Sequence, residues 1–137
     1  METNTLLRNL IRACVDDERT LQHESKFVDA TRAAALTRLA RERGQFIAEL
    51  ERLGPHEEPH DGSWRELSRE LGRDLRVTAG GRNSTDAITA CRHSRARTET
   101  VYDEAMLAPW PDEIARVLRA QRGSLRDETG ELDRLQF

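Results

Sequence analysis

A chain of 137 residues is long enough for one domain with a sizeable core. Its 22 basic and 25 acidic residues leave a net charge of −3, which excludes the broad basic field that draws in nucleic acid. Charged residues make up 34% and aromatics 4%, a balance that suits helices with wet outer faces better than a sheet, and no apolar run approaches the ~20 residues that span a bilayer.

The first element is an amphipathic helix over roughly 5–26. Leu6, Leu7, Leu10, Ile11, Cys14 and Leu21 recur at three- and four-residue steps, and Thr3, Asn4 or Thr5 is placed to cap its start. Asp29 then caps a second helix with Leu36, Leu39, Phe46, Ile47, Leu50 and Leu53 on its buried side, and Gly54–Pro55 stops it. "GPHEEPHDG" (54–62) reads as a turn-rich loop. "SWRE" follows as a capping box between Ser63 and Glu66, opening a shorter helix over about 63–78 that carries Trp64, Leu67, Leu71 and Leu75.

"AGGRNS" breaks that helix, and Ser84 or Thr85 starts another long one with Ile88, Cys91, Tyr102 and Met106. "APWP" ends it. Pro111, followed by Asp112 and Glu113 to suit the helix dipole, begins the last helix, which carries Ile114, Val117, Leu118, Leu125, Leu132 and Leu135. The expected fold is all-α: an antiparallel four-helix bundle in one domain, 1–137, with a hairpin at 5–54, a long crossover with its short helix at 55–83, and a second hairpin at 84–136.

The two hairpins look like copies. "IRAC" (11–14) returns as "ITAC" (88–91) at an offset of 77, and "LARERGQF" (39–46) returns as "LRAQRGSL" (118–125) at an offset of 79. Gly44 and Gly123 fall at equivalent places. A glycine inside a helix costs up to ~1 kcal/mol relative to alanine, so its repetition reads as close helix approach near the bundle centre.

With the helix faces laid out, "NLIRACVDDERTLQHES", "RERGQFIAELERL" and "PWPDEIARVLRAQRGSL" resemble the bacterial ferritin-like four-helix-bundle proteins that carry a domain of unknown function. The resemblance covers nearly the whole chain and rests on helix faces. It implies a ferritin-like bundle of two related hairpins and brings no established activity. Diiron members of that superfamily hold metal with one carboxylate on the first helix of each hairpin and Glu-x-x-His on the second.

Laid on this chain, the diiron pattern is incomplete. Glu18, four residues after Cys14, is the candidate first-helix carboxylate, but its counterpart by the repeat is Arg95, with Glu99 the nearest acid. The Glu-x-x-His positions read Glu42-x-x-Gln45 and Gln121-x-x-Ser124. The literal Glu57–His60 pair brackets Pro59 in a loop. His23 lies about 140° round the helix from Glu18, so the two do not converge: "DDERTLQHES", with Asp16, Asp17, Glu18, His23 and Glu24, does not complete a diiron site, and His23 reads as an exposed or helix-end histidine. Expected cofactors are therefore none, diiron included; if any metal were held, Glu18, Glu42 and Glu99 are the residues for it.

Glu18, Glu42, Arg43, Arg95, Glu99, Gln121 and Arg122 instead fall mid-helix beside apolar positions. They are the candidates for a polar network at the bundle core, where arginine can satisfy two carboxylate oxygens at once. All but one of the basic residues are arginine, Lys26 being the exception. The opposing reading is that these side chains run outward along the edge of the core.

Neither Cys14 nor Cys91 has metal-ligand or redox-motif spacing. With no export signal in "METNTLLRNL", they point to a cytoplasmic location. The functional expectation is a non-catalytic bundle that works by binding, as a homo-oligomer or with a protein partner, and with neither nucleic acid nor membrane. Trp64, Trp110 and Phe137 are candidate anchors. Two alternatives stay open: an atypical diiron-carboxylate oxidase or iron-handling protein, and a carrier of a small apolar ligand in the bundle centre.

Overall fold

The computed structural model describes residues 2–54 and 83–136. Among them are four long helices: α1 (Thr3–Glu24), α2 (Ala30–Leu53), α3 (Ser84–Ala105) and α4 (Asp112–Leu135), with a single 3-10 turn, Ser25–Phe27, between the first two. The molecule is an all-α protein of four packed helices. The loop expected at 54–62, the Ser63–Glu66 capping box and the short helix with Trp64 lie outside the described residues, apart from Gly54.

Local chemistry sets the helix starts. Asp29 caps α2 as expected, its side chain accepting from the Arg32 backbone N–H. The cap of α3 is Asn83, which accepts from the Asp86 N–H at 2.8 Å, and not Ser84 or Thr85; those two are already helical. At α1 the cap position falls on Glu2 with no side-chain bond, so none of Thr3, Asn4 and Thr5 serves there. Pro111 sits at the cap of α4 rather than inside its first turn.

Cross-helix bonds give the directions. Cys14 meets Tyr102 and Asp17 meets Ser94, so α1 runs against α3. Arg32 reaches the Leu135 carbonyl, Arg43 reaches Glu128, and Gln121 reaches the Phe46 carbonyl, so α2 runs against α4. Tyr102 to Gln121 and Arg95 to the Leu125 carbonyl make α3 and α4 antiparallel as well. At ~1.5 Å per residue, helices of 22 and 24 residues are about 33–36 Å long. The C-terminal end of α2 and the N-terminal end of α3 therefore lie at opposite ends of the bundle.

The apolar stripes pack into two clusters. One joins Leu6, Leu10, Ile11 and Cys14 to Ile47, Leu50, Tyr102 and Leu118. The other joins Leu21, Leu36, Leu39, Ile88, Cys91 and Leu132. Each fully buried leucine or isoleucine contributes about 1.5–3 kcal/mol. Three pairs 77 or 79 apart exchange clusters, since Ile11 and Cys14 lie in the first and Ile88 and Cys91 in the second, while Leu39 lies in the second and Leu118 in the first; Phe46 and Leu125 both lie in the first.

The expectation of close approach at Gly123 fails. A Cβ placed there meets nothing within 4 Å, and the residue faces solvent.

Candidate functional site

Between the two apolar clusters lies a charged layer, and Arg43 is its centre. The residue sits four after Leu39 and three before Phe46, in the middle of the buried stripe of α2. It is 0% exposed. Its Nε donates to Asp17 Oδ2 on α1 at 2.7 Å, and its Nη2 donates to Glu128 Oε1 on α4 at 2.5 Å. Its guanidinium carbon lies 4.9 Å from the centre of the Phe46 ring. Burial works against the charge of Arg43, but Asp17 and Glu128 outweigh it and push its pKa up.

Asp17 is held from two sides, since Ser94 Oγ on α3 donates to its Oδ1 at 2.6 Å. All four helices thus contribute to one buried cluster: Asp17, Arg43, Ser94 and Glu128. Three buried polar atoms at its edge have no hydrogen-bond partner: Glu42 Oε1, Arg43 Nη1 and Glu128 Oε2. Arg43 Nη1 is 3.9 Å from Glu42 Oε1. Burial, and then the neighbouring Glu42 carboxyl group, raise Glu128 to about 8.

A second buried chain runs beside this cluster. Tyr102 donates to Gln121 Oε1 at 2.5 Å, and Gln121 Nε2 donates to Glu49 Oε1 at 2.8 Å. Cys14 Sγ lies 3.3 Å from the Tyr102 oxygen. Tyrosine has one proton and gives it to Gln121, so the thiol is the donor in that contact. Burial pushes the Cys14 thiol up to about 12, which makes it a core residue and a poor nucleophile at neutral pH.

The candidate residues are spread over several places. Arg43 and Gln121 are fully buried, and Glu42 stands at the edge of the Arg43 cluster. Glu18 is 6% exposed, yet Asp17, the residue before it, holds Arg43. Arg95 and Glu99 form a separate pair on the α3–α4 seam at 2.6 Å, joined by Arg126 at 2.9 Å. The Arg95 hydrogen bond, despite some burial and together with Arg126, holds Glu99 below the usual carboxylate range. Arg122 points outward to Asp103 at 3.4 Å and is not part of the buried layer.

Sequence reasoning missed Asp17, Ser94 and Glu128. The signals were present. Ser94 is Asp17 displaced by the 77-residue offset, and Glu128 stands three after Leu125 and four before Leu132.

Among the described residues no group of three or more Asp, Glu, His and Cys is arranged to hold a metal ion. Glu18, Glu42 and Glu99 do not form one. His23 packs edge-on against Phe27, with ring centres 5.3 Å apart, at the end of α1. No described helix is long and apolar enough to cross a membrane. Compared with known proteins, the chain matches no family model, no curated protein and no solved structure. The fold assignment is that of a four-helix all-α protein.

Proposed function

We propose that this protein is a non-catalytic bundle of ferritin-like topology that acts by binding, through association with a second copy of itself. The observation that carries the reading is Arg43. A fixed guanidinium, bonded to carboxylates of α1 and α4, fills the level where a bundle of this kind would gather ligands for a cofactor. A permanent cation there bonds both Asp17 and Glu128, but offers no open coordination position for chemistry.

The helix directions support the topology, because α1 and α4 each run against both α2 and α3. The exchange of Ile11 with Ile88 and of Cys14 with Cys91 between the two apolar clusters supports hairpins that arose as copies. For association, the support is Leu107. It is 86% exposed in the turn between α3 and α4, beside Ala108 and Pro109 and close to Leu6 of α1.

Light scattering of the purified protein tests the binding reading. A dimer or larger assembly that Leu107→Asp converts to monomer is the expected result, and a monomer at every concentration overturns self-association. Metal analysis after purification with iron present tests the other half. Stoichiometric iron that survives dialysis overturns a non-catalytic Arg43 centre and restores the oxidase or iron-handling reading.

A further inference from the structure

The seam between α3 and α4 carries a cavity of about 210 Å³ that opens to water. The run "CRHSRAR" (91–97) builds its α3 wall. Arg92, Arg95 and Ala96 stand three and four residues apart, on one face of the helix, with His93 beside them. Thr129 closes it from α4. The polar groups that line the cavity are thus two guanidiniums, an imidazole and a hydroxyl, and none of the described residues lining it is an acid.

Both guanidiniums are fixed by their neighbours. Arg92 Nε lies 3.0 Å from Asp133 Oδ1, and its Nη1 donates to Gln136 Oε1 at 2.7 Å. Gln136 is itself held, its Nε2 donating to Thr89 Oγ1 at 3.0 Å. Arg95 Nη1 donates to Glu99 Oε1 at 2.6 Å and to the Leu125 carbonyl at 3.1 Å. These bonds use Nε and Nη1 of Arg92 and Nη1 of Arg95. A guanidinium carries five N–H donors, so each fork keeps its Nη2 for a further acceptor. Long side chains already held in place lose less freedom when a ligand binds through them. Ala96 matters by its size, since a methyl group is all that it puts into the space.

The charge balance favours an anion. The ion pairs that frame the cavity join Asp133 to Arg92 at one end, and Arg95 to Glu99 and Arg126 at the other, with Asp103 and Arg122 beyond. Four guanidiniums against three carboxylates leave one positive charge in excess. A phosphate group presents several acceptor oxygens in different directions, which suits donors arriving from two helices, and arginine forks match its geometry. Leu107, the exposed large apolar residue among those described, is not on the rim. The phosphate of a soluble compound therefore fits better than one in a bilayer.

We propose that this cavity binds the phosphate group of a small soluble phosphate monoester, with Arg92 and Arg95 as the paired cationic donors and His93 and Thr129 completing the set.

The test is an amide-shift titration of the full, nitrogen-15-labelled chain by magnetic resonance, with inorganic phosphate and with glycerol phosphate. Ionic strength is held fixed with chloride, so that screening does not change. Shifts that saturate and are confined to residues 92–96 and the neighbourhood of Thr129 are the expected result. Shifts that never saturate, or that spread over arginines throughout the chain, overturn the site. Arg95→Gln is expected to weaken binding by about tenfold or more, the loss of a charge-assisted bond. Arg97→Gln removes the same charge from the same run but outside the cavity, and is expected to bind as the wild type does; an equal loss in both variants reduces the effect to diffuse charge and overturns the proposal. Ala96→Leu keeps every charge at an exposed position and fills the space. It is expected to bind about tenfold more weakly or worse, and it decides the matter if Arg95→Gln does not fold; wild-type binding by Ala96→Leu overturns the cavity as the site. Vesicles containing phosphatidate supply the remaining arm. Protein retained by them while both free phosphates leave the shifts unmoved overturns a site for a soluble ligand.

Discussion

At the scale of single residues, the difference between Arg43 and Arg95 is one of escape. Both were candidates for the same network, and both pair with carboxylates. Arg43 is sealed at 0% exposure between Asp17 and Glu128, so removing it leaves carboxyl groups buried without their cation. Breaking a buried pair in this way costs about 3–5 kcal/mol. Arg95 keeps 11% of its side chain exposed, and its partner Glu99 retains Arg126 when Arg95 is gone. Arg43→Ala is therefore expected to lower unfolding free energy by about 3–5 kcal/mol and Arg95→Ala by about 1 kcal/mol or less, read from urea titrations. Equal losses would contradict this division. The choice of Asp17 over Glu18 has a related cause. At 100° per residue they flank the apolar stripe of α1 on opposite sides, one three residues and the other four after Cys14. Both are buried, and the side on which α2 lies decides which one meets Arg43.

At the scale of elements, helix limits were legible to within a few residues, because caps and breakers act locally. The cap of α3 is Asn83 rather than its neighbours, which is a local choice among three adjacent polar side chains. Gly123 was misjudged for a different reason. A sequence shows that Gly123 repeats Gly44, but not what stands opposite it. In the structure a methyl group at Gly123 has open space around it. Gly123→Ala is accordingly expected to stabilise the protein by about 0.5–1 kcal/mol, the helix-propensity gain alone, as a rise in thermal midpoint. A loss of stability would restore close packing at that position.

At the scale of the whole molecule, the two apolar clusters hold the charged layer between them, and the two cysteines report on the clusters separately. Cys14 and Cys91 are both 0% exposed, one in each. In native buffer neither thiol is expected to react with an aromatic disulfide reagent until the bundle opens. Labelling should follow the unfolding rate as denaturant is added. Rapid reaction of one cysteine alone would show that its end of the bundle opens independently. The sequence by itself determined that the chain is helical, where its long helices begin and end, and that the halves echo each other, since these follow from periodicity, caps and breakers within a few residues of each position. Tertiary structure alone decided which polar residues meet. A side chain's helical angle places it on a face, but only the neighbouring helices determine whether that face holds Arg43 in a cage of carboxylates or turns Arg122 out to water.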